Sequence, residues 1–345
     1  MRFLLFLLAV FAGLGAAAGL RLMAFNQFDE IEPVALAGCE PVRGIAGPED
    51  IEIDRRRARA FISSLDRRAE GARGAIHVFD LNDPLADTGW RDRTGGVPAD
   101  FRPMGVSYYD DGEVSRLFVV NEAGPSVEIY DVAGNGDLTH LKSVSEARVL
   151  SPNSVAAAGP DAFYVSNDLR PGRNSPLAPL HFLMSAELGE IFYVEGGRWS
   201  LAADKLRFAN GLALSADGRT LYAAETAGKA LKVFDRDAAT GALAPAGDIP
   251  LDAAPDNINI DGEGDLWIAA LPKPLLLPRL KGDAEATAPS EVLRLTPGGA
   301  PATVFRDDGA QQSAATVAAR LGDTLLIGAL YEQKFLYCDL PAKPE

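Results

Sequence analysis

Short apolar runs broken by Gly-rich turns recur along this chain at intervals of about 50 residues. This repeat constrains the fold more than any other feature. Its clearest copy is FANGLALSADGRTLYAAETAGKALKVFD, residues 208–235, which reads as strand, Asp217-Gly218 turn, strand, short Gly turn, strand. Three short antiparallel strands cannot bury both faces alone, so such a unit must stack against copies of itself. Further copies begin at Pro48, Pro103, Ser151, Pro255 and Ala314. Helical periodicity is missing between them, which argues against parallel βαβ units. Six units of this length predict an all-β, six-bladed β-propeller, forming a single domain over residues 21–345 behind an N-terminal segment, 1–20.

A propeller is weakest where its first and last blades meet. Residues 34–39 precede the first repeat, and the expectation is that they supply the outer strand of the last blade. The chain has 2 cysteines, Cys39 and Cys338, one at each end of the array. Residues 3–20 are uncharged and apolar, follow Arg2 and contain Ala16-Ala17-Ala18. They read as a signal peptide or an uncleaved membrane anchor, and therefore as export to a periplasmic or extracellular space. In an exported protein an isolated cysteine pair suggests a disulfide, which here would lock the seam. Two free buried thiols are the other reading.

Two units carry insertions, 169–187 and 271–289, between their second and third strands. In an up-and-down blade that loop lies at the end where the innermost strand begins, so both insertions crowd one face. Their apolar stretches, LAPLHFLM and LPKPLLLPRL, suit either the wall of a substrate pocket or contact with a membrane. Net charge is −15 with the basic residues scattered, which excludes the basic stripe of a nucleic-acid surface.

Glu49, Asn153, Asn210 and Asn257 fall at one phase of four repeats, where the innermost strand starts, and Asp256 directly precedes the last of them. Rotational symmetry brings these positions to one mouth of the channel. Asn and Asp at a strand start are also ordinary turn residues, but four in register point to a common task. Carboxylate and amide oxygens without Cys or His suit a hard cation, Ca2+ before Mg2+. Asp50 points the other way along its strand, toward a second, deeper ion.

The motifs GPEDIEI, RPMGVS, SPNSVAAAGPDAFYVSND, FANGLALSADGRTLYAAE, PDNINIDGEGDLWIA and LLIGALYEQKFLYCDL run colinearly through residues 21–340. In them the chain resembles the paraoxonase/arylesterase family, related to the gluconolactonase and senescence-marker-protein propellers. The resemblance implies a six-bladed propeller with a terminal disulfide and two calcium ions, hydrolysing lactones and aryl esters. It places the catalytic calcium on Glu49, Asn153, Asn210, Asp256 and Asn257. The chain departs from the family where it matters chemically. The family's histidine dyad would fall at Met104 and Glu122, and a methionine cannot activate water. The structural calcium site keeps Asp50 but has Ser154 in place of an aspartate.

Replacements for the missing base are Glu122, Asp256 and His181, which lies in the first apolar insertion. Asp168 holds in the third blade the place that Glu122 holds in the second. His77 and His140 read as solvated strand residues. The expectation is an exported, calcium-dependent hydrolase of a small hydrophobic lactone or aryl ester. A calcium-binding propeller that holds a ligand or partner without turnover is the alternative. A non-hydrolytic propeller resembling the strictosidine-synthase-like proteins would need no such oxygen ring.

Overall fold

The computed structural model describes residues 13, 15–84 and 90–341. Their strands form six four-stranded antiparallel sheets, the six-bladed propeller expected from the repeats. The innermost strands are Pro48–Asp54, Pro103–Asp110, Pro152–Gly159, Ala209–Leu214, Ala254–Ile260 and Ala315–Leu321. Each contacts the next, and the sixth returns to the first, enclosing the central channel. The clearest repeat folds as read: the Asp217-Gly218 turn joins Ala209–Leu214 to Thr220–Glu225, and Ala230–Arg236 follows. An outermost strand, Leu243–Pro250, completes that blade.

The core lies between blades, because each strand turns alternate side chains to its two neighbouring sheets. Phe118 and Val120 of the second blade pack on Phe163 and Val165 of the third, with the two Phe rings 5.2 Å apart. Equivalent apolar clusters fill the other junctions, including the one between the last blade and the first, where Phe335 meets Phe79. Each fully buried Phe stabilises by about 1.5–3 kcal/mol relative to exposure. No blade can leave without uncovering two such clusters.

The seam is closed by the N-terminal strand Cys39–Arg43, which pairs with Lys334–Asp339 as the outer strand of the sixth blade. Cys39 lies opposite Cys338 and is disulfide-bonded to it, with Cα atoms 3.9 Å apart. The expected strand at 34–39 is displaced. Val34 instead bridges Arg306 in the fifth blade, and a turn through Gly38, at φ +73°, carries the chain across to the sixth.

Both insertions sit between second and third strands, as expected, and each forms a short helix. Helix Ala178–Leu183 packs on the N-terminal segment: Phe182 stacks on Phe25 at 5.5 Å, and Arg21 Nε donates to the Leu183 carbonyl at 2.7 Å. Helix Leu277–Gly282 buries Leu280 against Leu271 and Ala286. Residues 15–24 are helical. Residues 1–12 and 14, which hold most of the proposed signal or anchor, lie outside the described residues. No helix among the described residues is long and apolar enough to cross a membrane.

Candidate active site

Every inner strand slips register at the same mouth of the channel. The slips fall at Pro48/Asp50, Pro103/Val106, Pro152/Val155, Ala209/Leu212, Pro255/Ile258 and Ala315/Val317. A bulge inserts a residue that the partner strand does not match and re-aims its side chain. The residues so inserted include Glu49, Met104, Asn153, Asn210, Asp256, Asn257 and Thr316. Close approach of the strands here depends on glycine. A Cβ on Gly211 would stand 2.4 Å from the Asp256 carbonyl oxygen, and one on Gly105 2.6 Å from the Ser154 Cα.

The side-chain amides of this ring are oriented by their NH2 groups. Asn257 Nδ2 donates to Glu49 Oε1 at 3.1 Å. Asn210 Nδ2 donates to Asp256 Oδ1 at 2.7 Å and to Thr226 Oγ1 at 3.1 Å. Asn153 Nδ2 donates to Asp168 Oδ2 at 3.3 Å. With the nitrogens tied, the oxygens are left over: Glu49 Oε2, Asn153 Oδ1, Asn210 Oδ1 and Asn257 Oδ1 are all buried with no hydrogen-bond partner. An unpaired buried polar atom costs about 1–3 kcal/mol, and four around one mouth of the channel describe a site suited to a cation.

The electrostatics point the same way. Burial pushes the Glu49 carboxyl above the ordinary carboxylate range, opposed by Arg67 and the Asn257 bond. Asp256 is pushed well above it, by burial first and the Glu49 charge second. Two desolvated carboxylates sharing a mouth lack a positive partner at contact distance, and a dication would supply one. The donor set is oxygen alone, as hard cations require.

Above the ring opens a cavity of about 630 Å3. Met104, Leu150, Phe208, Leu277, Leu330 and Tyr331 form its apolar wall, so the second insertion helps to line it. The apolar part of the first insertion does not; it covers the N-terminal segment instead. Phe208 adopts φ +66°, a left-handed conformation that costs a bulky residue about 1–3 kcal/mol, and its ring packs edge-on against Phe182 of the first insertion, 5.1 Å between centroids.

Glu122 lines the cavity, but both its oxygens are engaged: Arg102 Nε donates to Oε1 at 3.1 Å and Arg173 Nη1 to Oε2 at 3.0 Å. Asp168 is fully buried and accepts from Ser151 Oγ, Asn153 Nδ2 and Arg173 Nε. His181 is not among the residues lining the cavity. The other two histidines differ from expectation. His77 is buried, and burial lowers its pKa. His140 is half-buried and its Nε2 lies 2.8 Å from Glu128 Oε2.

At the deeper level, Asp50 Oδ2 accepts from the Val106 N–H at 2.8 Å and Oδ1 from the Ile51 N–H at 2.9 Å. Ser154 Oγ accepts from the Leu212 N–H at 3.1 Å. Sequence reasoning missed Arg67, Arg102, Arg173 and Lys281, the cations of the cavity. It also missed Thr316, whose Oγ1 donates to the Glu49 carbonyl at 2.8 Å. The phase that located Asn210 would have located Thr316 too, since both open an inner strand.

The arylesterase family model matches residues 30–340. The chain is 30% identical to serum paraoxonase/arylesterase 1 of Mus musculus, over 91% of this chain and 92% of that one. It is 31% identical to serum paraoxonase/arylesterase 2 of Gallus gallus, over 97% and 99%. Among solved structures it resembles regucalcin, a calcium-binding protein from Agrobacterium tumefaciens, with a TM-score of 0.55 and 18% identity over 88% of this chain and 94% of that one. That last likeness concerns the fold.

Proposed function

The chain belongs to the arylesterase family, and from that premise we propose that it hydrolyses lactones or aryl esters with one calcium ion held by Glu49, Asn153, Asn210, Asp256 and Asn257. The observation that carries the metal assignment is the set of four buried oxygens without hydrogen-bond partners. A bound calcium ion would polarise the substrate carbonyl and offset the charge that develops on its oxygen.

The remaining work falls to the chain itself. The apolar wall formed by Phe208, Leu277 and Tyr331 holds the hydrocarbon part of the substrate and limits water near the carbonyl. Asp256 is the better proton acceptor. Its Oδ1 is occupied by Asn210, while Oδ2 receives no hydrogen bond among the described residues. Water attacks the carbonyl carbon, its proton passes to Asp256 Oδ2, and the acyl–oxygen bond breaks. The proton then goes to the departing alkoxide or aryloxide, leaving carboxylic acid and alcohol. Glu122, with both oxygens tied to arginines, has no free oxygen to turn toward water and acts as a fixed counter-charge. His181 has no geometric claim.

The disulfide supports export to an oxidising compartment. The second reading, a calcium-bound propeller that holds a ligand without turnover, draws on the same Glu122 pairing and on Met104 at the dyad position. A panel of lactones and phenyl esters, assayed with calcium and with excess chelator, separates the two. Chelator-sensitive turnover that falls in Asp256→Asn, with calcium still bound, supports the hydrolase. A folded, calcium-loaded protein that turns over nothing in the panel overturns it.

A further inference from the structure

Arg67, Arg102, Arg173 and Lys281 line the cavity with Glu49, Glu122 and Asp256, and Asp168 behind Arg173 makes the charges even, but they are not evenly paired. Four cations at one site are conspicuous in a chain of net charge −15. Arg102 and Arg173 are paired with Glu122, and Arg173 also with Asp168. Arg67 is different. Its Nη2 donates to the Pro103 carbonyl at 3.0 Å and to Met104 Sδ at 2.9 Å, and its Nη1 reaches the Gly47 carbonyl at 3.4 Å. All three acceptors are neutral, and no carboxylate lies within ion-pair distance of Arg67 among the described residues. Glu49 and Glu122 act on it through space, but a half-buried guanidinium facing the cavity without a carboxylate in contact is costly unless something else supplies that contact. Lys281 stands exposed on the rim, at the end of helix Leu277–Gly282, and likewise has no ion pair among the described residues. A bound dication would satisfy Glu49 and Asp256, leaving the upper cavity with an excess of positive charge.

We propose that the cavity takes esters or lactones whose acyl chain ends in a carboxylate, with Arg67 anchoring that carboxylate and Lys281 drawing it in from the rim. The apolar wall of Leu277, Leu330 and Tyr331 then holds the intervening methylenes. The Nε–H and the second Nη1–H of Arg67 have no hydrogen-bond acceptor in the protein among the described residues, and a charge-assisted bond from such a donor in a desolvated site is stronger than a neutral one. An excess of one charge in a concave, low-dielectric site also raises the local concentration of anionic substrate. The chemical step rests on the hydrolase reading; the anion subsite does not, because the product of such a reaction is itself a dicarboxylate that must occupy the same place.

The test pairs a binding arm with a kinetic one. Glutarate and pentanoate, equal in chain length, are titrated into the calcium-loaded protein by calorimetry. The monophenyl ester of glutarate and phenyl pentanoate are then compared as substrates. Glutarate is expected to bind about tenfold or more tightly than pentanoate, and the ratio of kcat/KM values to favour the glutarate ester similarly. Both preferences shrink with added salt. Arg67→Gln, checked for retained fold and calcium stoichiometry, brings each ratio close to one; Arg67→Lys recovers part of it. Lys281→Gln, on an exposed residue that cannot unfold the protein, lowers the preference by about threefold. Equal binding of the two acids by the wild-type protein overturns the proposal, as does a preference that survives Arg67→Gln, which would make Arg67 a purely structural support for Gly47 and Pro103. A glutarate preference without any turnover leaves the subsite standing and removes the hydrolase; turnover without the preference does the reverse.

Discussion

Two levels of the central channel are built from the same inner strands, one residue apart, and they differ in what their oxygens touch. At the mouth, Glu49, Asn153, Asn210 and Asn257 each leave a buried oxygen unpaired. One step down, both Asp50 oxygens and Ser154 Oγ accept backbone N–H groups. Burial and charge alone do not separate the levels, since burial and the Glu49 charge push Asp50 well above the ordinary carboxylate range too. Satisfaction does. The Asp261, Glu263 and Asp265 turn, at the far end of the fifth blade's inner strand, makes the same point. Its carboxylates lie close together, yet Asp261 accepts from Trp267 Nε1 and Arg320, and Asp265 from Arg294. A carboxylate cluster answered by arginines is already satisfied; a ring of unpaired oxygens is not.

The comparison breaks most severely if the support behind the mouth is removed. Arg173→Met leaves Asp168 buried with no cation and frees Asn153 Nδ2 from a fixed partner. Loss of one member of such a buried pair costs about 3–5 kcal/mol, measured by denaturant unfolding, and adding Asp168→Asn should recover much of it. An unchanged midpoint would mean that the pair does not hold the ring in shape. Next comes the ring itself. Asn257→Ala should lower esterase or lactonase activity by about 10²–10³-fold, equivalent to about 3–4 kcal/mol of barrier. It should also abolish the calcium-dependent gain in stability, which for the wild-type protein is about 2.7 kcal/mol at calcium 100-fold above Kd. Chelator should reduce the wild-type protein to the variant's stability.

The channel's opposite end offers a control without a metal. Glu52 lines a cavity of about 140 Å3 near Arg55, and burial raises its pKa from 4.5 to about 7, with Arg55 opposing. The folded pKa is the higher one, so the native state binds the extra proton. This stabilisation is complete below pH 4.5 and is lost as pH rises through about 7, a change of about 3 kcal/mol. Calcium should leave that slope untouched and Glu52→Gln should flatten it. A calcium-sensitive slope would assign the titration to the mouth instead.

How far the sequence could be read follows from the same physics. The inner three strands of each blade are apolar or β-branched and announce themselves. Outer strands such as Leu243–Pro250 are largely exposed and carry no such pattern. The seam strand was misplaced by one turn, because Gly38 could not be told from any other turn glycine. The ring was legible because its residues share a phase, and the bulges that aim them recur with the repeat. Arg67 and Arg173 were not legible. They reach the cavity from loops, with no register to predict where a long side chain ends.

The smallest predicted effect is the sharpest test of the two-level contrast. Ser154→Asp puts a second carboxylate beside Asp50, in a position that is 3% exposed and packed against Gly105, whose added Cβ would lie 3.2 Å from the serine Cβ. Without calcium the new anion has no cation to meet, and the Leu212 N–H can satisfy only one of its oxygens. The variant in chelator should therefore be less stable than wild type by about 2 kcal/mol, within the usual penalty for a buried unsatisfied group. With calcium the penalty should vanish, and calorimetry should count two ions where the wild-type protein binds one. Two ions in the wild-type protein would show that satisfied oxygens at the deeper level still take a cation. One ion in the variant would show that a missing carboxylate is not what limits ion binding at the deeper level, and that the strands there are already closed by their own hydrogen bonds.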